Sequence, residues 1–103
     1  MRIDFLHPEF HIGINSTVRL GTRYVELDEN LELYKTGEEE PVAYGMVTKY
    51  LVCNFNNLTD EDIMYQHDEE TMNYDGLYKA MERAYGDKFS EDSVVTVIYF
   101  LIV

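Results

Sequence analysis

The chain is short of cysteine, proline, tryptophan and basic residues, and each shortage excludes something. With Cys53 alone no intramolecular disulfide can form, so a stapled secreted scaffold is excluded and an intracellular, cytoplasmic setting is expected. Cys53 ends the apolar run Tyr50-Leu51-Val52-Cys53, where a small buried hydrophobe is expected rather than a nucleophile. There is no Pro/Gly/Ser linker, internal repeat or low-complexity stretch, so residues 1–103 are expected to form one domain. No apolar run is long enough for a bilayer-spanning helix. The first ten residues carry a single basic side chain and no long apolar run, so neither a membrane span nor a signal peptide is expected.

Positive charge is the most telling shortage. Twenty acidic residues stand against eight basic ones, a formal charge of −12. Such a surface repels polyphosphate, which argues against non-specific binding of duplex DNA. The basic residues are scattered at positions 2, 19, 23, 35, 49, 79, 83 and 88, with no basic tract among them. The same acidity can imitate a nucleic-acid backbone and block a basic, nucleic-acid-binding protein partner. There is no paired-cysteine motif, no HExxH and no glycine-rich phosphate loop. His7 and His11 are four apart and His67 lies distant, but Pro8 and Gly13 oppose a helix that would present His7 and His11 on one face. No metal or cofactor is expected.

What is present is a core. The hydrophobic fraction of 46%, with 14% aromatic, is ample for a packed interior. Ser16 to Leu20, Tyr24 to Leu27 and Leu31 to Tyr34 are short and rich in β-branched or aromatic side chains, and read as strands or near-strands. Val42 to Phe55 reads as a long strand interrupted by Gly45, where a bulge or bend is expected. Val94 to Val103 is almost wholly apolar and reads as a central strand buried on both faces. Two helices fit before that last strand. One opens at the Thr59 cap and ends near Gln66; the other runs from Asn73 to Tyr85 with Gly86 as its C-cap. Tyr74, Leu77, Tyr78, Met81 and Tyr85 give the second helix one apolar stripe.

One constellation points to chemistry. On a strand, Thr17 and Arg19 share a face, and the acidic cluster Asp68-Glu69-Glu70 precedes the second helix. An arginine beside a hydroxyl and near a carboxylate can bind a planar polar ligand such as a nucleobase, or a phosphate. The same residues also fit a plainer role, with Arg19 paired to one of the many carboxylates and Glu70 stabilising a helix N-terminus.

The order of features resembles the ASCH domain family of the PUA-like superfamily over nearly the whole chain. The matching pieces are Thr17-Val18-Arg19-Leu20-Gly21, Tyr44-Gly45-Met46-Val47, Leu58-Thr59-Asp60-Glu61-Asp62 and Val94 to Phe100. The resemblance implies an α+β fold, a small β-barrel with two helices inserted before the last strand. Within that family the chain is similar in length to small bacterial enzymes that hydrolyse N-acetylcytidine with a lysine, a threonine and a glutamate. By that resemblance Thr17 and Glu70 fall on the catalytic threonine and glutamate, and Arg19 on the ligand-binding arginine. Ile14 stands where the lysine belongs, and no lysine occurs before Lys35. An amide hydrolase needs a base for its nucleophile, so this departure touches function directly. Two readings follow. One is an ASCH-type pocket for a small nucleoside or an RNA element, with weak or altered amidohydrolase activity. The other is an enzyme-dead acidic protein that blocks a nucleic-acid-binding partner.

Overall fold

β5, Val94–Ile102, organises the fold because its side chains feed two separate interiors. Val95, Val97 and Tyr99 join one apolar cluster, while Ile98 and Phe100 join the other. Successive side chains of a strand point to opposite faces, so an unbroken apolar run is what a doubly buried strand requires. The expected central role of this segment is what the computed structural model, which describes all 103 residues, displays.

Four further strands complete a mixed sheet: β1 Arg2–Phe5, β2 Ile14–Leu20, β3 Asn30–Lys35 and β4 Ala43–Asn54. Their order is β1-β3-β4-β5-β2, antiparallel except for the parallel pair β1 and β3. β1 and β2 are the two edges, and no ladder joins them. The α+β class, with two helices before the last strand, agrees with expectation; the expected barrel is not seen to close, since no ladder joins β1 to β2.

Two helices lie between β4 and β5: α1, Asp60–Ile63, and α2, Tyr74–Tyr85. Thr59 and Asp62 cap α1 reciprocally, with the Thr59 hydroxyl accepting from the Asp62 amide at 3.3 Å and the Asp62 carboxylate accepting from the Thr59 amide at 3.0 Å. α2 buries Leu77 and Met81 in the first cluster, with Tyr74, Tyr78 and Tyr85 half-buried around them. Gly86 ends it in a positive-φ conformation, donating its amide to the Glu82 carbonyl.

Three expectations need correction. Tyr24 to Leu27 is not a strand; only Val25 is buried there, and the chain turns at Asp28, whose φ is 62°. The first helix stops at Ile63 because the next residues hydrogen-bond elsewhere: Tyr65 accepts from the Ser16 amide, and His67 donates to the Ser16 carbonyl. Gly45 is regularly paired, and the irregularity of β4 falls between Val47 and Lys49. Gly45 answers a close approach instead: a Cβ there would lie 3.0 Å from the Leu101 carbonyl and 3.3 Å from the Phe100 ring.

Candidate functional site

The two sheet edges come together through side chains. Arg19, on β2, donates from Nη1 to the Asp4 carbonyl on β1 at 2.9 Å and from Nε to the Thr17 hydroxyl at 3.0 Å. Its guanidinium carbon lies 4.7 Å from the centre of the Phe5 ring, close enough for a cation–π contact. Thr17 is buried and Arg19 half-buried, on the shared face that strand periodicity predicts. No carboxylate lies within 4.0 Å of Arg19; the ion pairs of this structure are Arg2 with Asp4 and the Met1 amine with Glu29. The plainer expectation, an Arg19 held by a carboxylate, is therefore overturned. Burial pushes the Arg19 pKa down from the usual arginine value, with neighbouring Arg23 adding to the fall, while Tyr85 and Asp4 oppose it. An arginine keeps its charge through such shifts.

Beyond this edge, the segment after α1 docks on β2. Ser16 and Gln66 form an isolated parallel bridge, and the buried Gln66 amide donates to the Ser16 hydroxyl at 3.0 Å. This places His67 beside Phe5, ring centres 4.6 Å apart, with Nδ1 3.3 Å from the Ser16 carbonyl. A carbonyl only accepts, so Nδ1 carries the proton and Nε2 keeps its lone pair. Burial is the chief cause that lowers the His67 pKa to about 4, and Arg19 and His11 push the same way. The Ser16 carbonyl and Asp68 offset part of the fall. At neutral pH His67 is an uncharged acceptor.

Between these groups and α2 lies a cleft of about 380 Å³, at the small end of the usual range for ligand pockets. Phe5, Thr17, Arg19, His67 and Asp68 form its polar and aromatic wall, and Leu77 and Met81 of α2 its apolar side. Phe5 is itself covered by Arg19 and the rings of Phe10, His67 and Phe100, so the half-buried His67 is the ring a flat ligand can stack on, beside a charged donor and a hydroxyl.

Glu70 does not line this cleft. It is exposed, on a 3-10 turn, Glu69–Thr71, that Asp68 caps by accepting the Glu70 amide at 3.0 Å. The Glu70 backbone faces α2, where its carbonyl occupies the space a side chain at Gly76 would need, and its carboxylate points outward. The carboxylates that line the cleft are Asp68, two residues earlier, and Asp4, which is paired with Arg2. No lysine lines the cleft. Ile14 packs on the first apolar cluster, and Lys49 lies over the Tyr99 ring at 5.1 Å. Cys53, half-buried against the same cluster, has its thiol pKa pushed up, chiefly by burial, which suits a packing role.

β1 has no counterpart in the sequence reading, where His67 figures only as a distant histidine beside His7 and His11. The alternation Ile3 and Phe5 against Arg2 and Asp4 is a strand signal, though only four residues long; for His67 no spacing signal exists. His11 turns its ring to the carbonyls of Tyr65 and Gln66, and no group of three His, Cys, Asp or Glu side chains is arranged to hold a metal ion. No helix is long and apolar enough to cross a membrane.

No family model and no curated protein matches the chain. Among the solved structures similar to it are two of known source. One is an ASCH domain from Lactobacillus crispatus JV V101, with a TM-score of 0.68 at 12% identity over 85% of this chain. The other is a protein of Enterococcus faecalis V583 of the DUF984 family, with a TM-score of 0.64 at 13% identity over 86% of this chain. The chain spans 63% of the length of each. The likeness shows an ASCH-like fold.

Proposed function

On the premise of an ASCH-like fold, we propose that this chain binds a small nucleoside, or the unpaired nucleoside of an RNA element, in the cleft walled by Thr17, Arg19 and His67. The observation that carries the reading is Arg19. A half-buried guanidinium is held rigidly over Phe5 by Thr17 and the Asp4 carbonyl, with no carboxylate partner in a chain that has twenty. A planar ligand with acceptor atoms satisfies the remaining donors and stacks on the His67 ring. The expected setting is cytoplasmic.

The reading is binding without the family's hydrolysis. The Thr17 hydroxyl faces a guanidinium, which cannot take its proton, and neither Glu70 nor a lysine reaches the cleft. Titration calorimetry with cytidine and N-acetylcytidine should show saturable binding, weakened at least about tenfold in Arg19→Met through loss of a charged hydrogen-bond donor. Chromatography should find no cytidine released from N-acetylcytidine. Release that His67→Gln abolishes would instead assign an altered amidohydrolase whose base is the neutral imidazole. Absence of binding to both compounds would sink the reading.

A second reading has one observation in its favour. Glu38, Glu39, Glu40, Asp60, Glu61, Glu69 and Glu70 are all exposed and unpaired, an acidic surface that a basic nucleic-acid-binding protein can meet. It predicts that the chain displaces DNA or RNA from such a protein whether or not Arg19 is intact.

A further inference from the structure

The eight basic residues, scattered in sequence, are sorted in space by type. All four arginines line two adjoining clefts, and none of the four lysines does. Arg19 and Arg83 line the cleft already described. Arg2, Arg19 and Arg23 line a second one of about 490 Å³, with Ile3, Tyr24 and Ile98. Arg19, spanning the sheet edges, and Asp4 form the wall the two clefts share.

The second cleft has the chemistry of an anion site. Neither Arg19 nor Arg23 has a carboxylate within 4.0 Å, and the two cations are near enough for Arg23 to weaken proton binding at Arg19. Asp4 is the one acidic side chain lining it, and its carboxylate is engaged by the Arg2 Nε at 2.8 Å. Arg19 and Arg23 are like charges with no carboxylate within 4.0 Å, and the one acidic side chain near them, Asp4, is shared with Arg2, so an anion between them is favoured. Planar guanidinium forks suit a phosphoryl group in a way lysine ammonium groups do not.

The backbone that carries Arg23 is also built. The Arg23 amide donates to the Thr96 hydroxyl at 3.0 Å, and that hydroxyl donates to the Gly21 carbonyl at 2.8 Å. Thr96 is fully buried on β5, and Gly21 makes the turn with a φ of 87°. The sheet interior thus fixes where Arg23 leaves the strand.

We propose that the second cleft is a phosphoryl subsite, so that the ligand of this protein is a nucleotide whose base enters the Thr17–His67 cleft and whose phosphate lies between Arg19 and Arg23. This rests on the nucleoside reading above and adds to it an anion that no nucleoside carries. Its test compares cytidine, cytidine 5′-monophosphate and inorganic phosphate by titration calorimetry on the wild-type chain, Arg23→Ala and Lys88→Ala. The monophosphate should bind at least about tenfold more tightly than cytidine, as charge-assisted bidentate contacts allow. Arg23→Ala should lose that advantage, Arg23→Lys should recover only part of it, and Lys88→Ala should keep it. Arg23 is exposed and its turn is held by its amide, so thermal melting should show the Ala variant folded. Cytidine binding with no gain from the phosphate, or a gain that survives Arg23→Ala, overturns the subsite and leaves the nucleoside reading standing. Inorganic phosphate binding that requires Arg23, with cytidine failing to bind, keeps the subsite and removes the nucleoside.

Discussion

His67 is held neutral by burial, and that has a consequence for stability. Its pKa is near the ordinary histidine value of 6.5 in the unfolded chain and about 4 in the folded one. Between those values the unfolded state binds a proton that the folded state does not, so stability falls as pH drops through this window. Above about pH 6.5 the full contribution is present, and the loss by pH 4 is on the order of 3 kcal/mol. Urea unfolding measured from pH 7.5 to pH 4 should show this decline, and His67→Gln should flatten it. An identical decline in the variant would place the proton elsewhere. None of this was legible in the sequence, because burial of a lone histidine depends on which strand its loop docks against. Thr17 and Arg19 were legible, since a two-residue period on a strand fixes a shared face. Glu70 was not, because a 3-10 turn rotates about a third of a circle per residue, and a two-residue error exchanges inward for outward.

The elements most readable were those with local chemistry. The Thr59 cap of α1, the apolar stripe of α2 and the hydrophobic run of β5 depend on neighbours in sequence, and each lies within a few residues of its expected place. β1 pairs in parallel with β3 across a long stretch of chain, and nothing local records that partnership. Gly76 shows how a tertiary contact reverses a local rule. Replacing an ordinary helical glycine by alanine stabilises by up to about 1 kcal/mol. In the first turn of α2 Asn73 accepts the Gly76 amide at 2.8 Å, and the Glu70 carbonyl occupies the space a Cβ would take. Gly76→Ala should therefore destabilise, by about 1–3 kcal/mol, as overpacking against rigid backbone does. Denaturant midpoints for the two chains decide it, and an increase in stability would show that the 3-10 turn yields freely.

At the scale of the molecule, charge acts in two opposing ways. A formal charge of −12 on 103 residues makes the folded chain repel itself, and the repulsion grows as the chain compacts. Composition alone shows this much; it does not show that Arg2, Arg19, Arg23 and Arg83 collect at one seam, because that depends on β1, β2 and α2 meeting there. Raising salt from about 0.01 M to about 0.15 M shortens the screening length from about 30 Å to about 8 Å. The self-repulsion is then screened, and the melting temperature of the unliganded chain should rise; each ~1 kcal/mol recovered is worth about 4–8 °C in a domain of this size. The same salt should weaken binding of cytidine 5′-monophosphate, because an arginine–phosphate attraction is screened alongside the repulsion. Calorimetric melting and titration at the two salt concentrations should therefore move in opposite directions. A melting temperature that falls with salt would mean that attractions between surface charges outweigh the net repulsion, and that the acidic residues are better paired than their two ion pairs suggest.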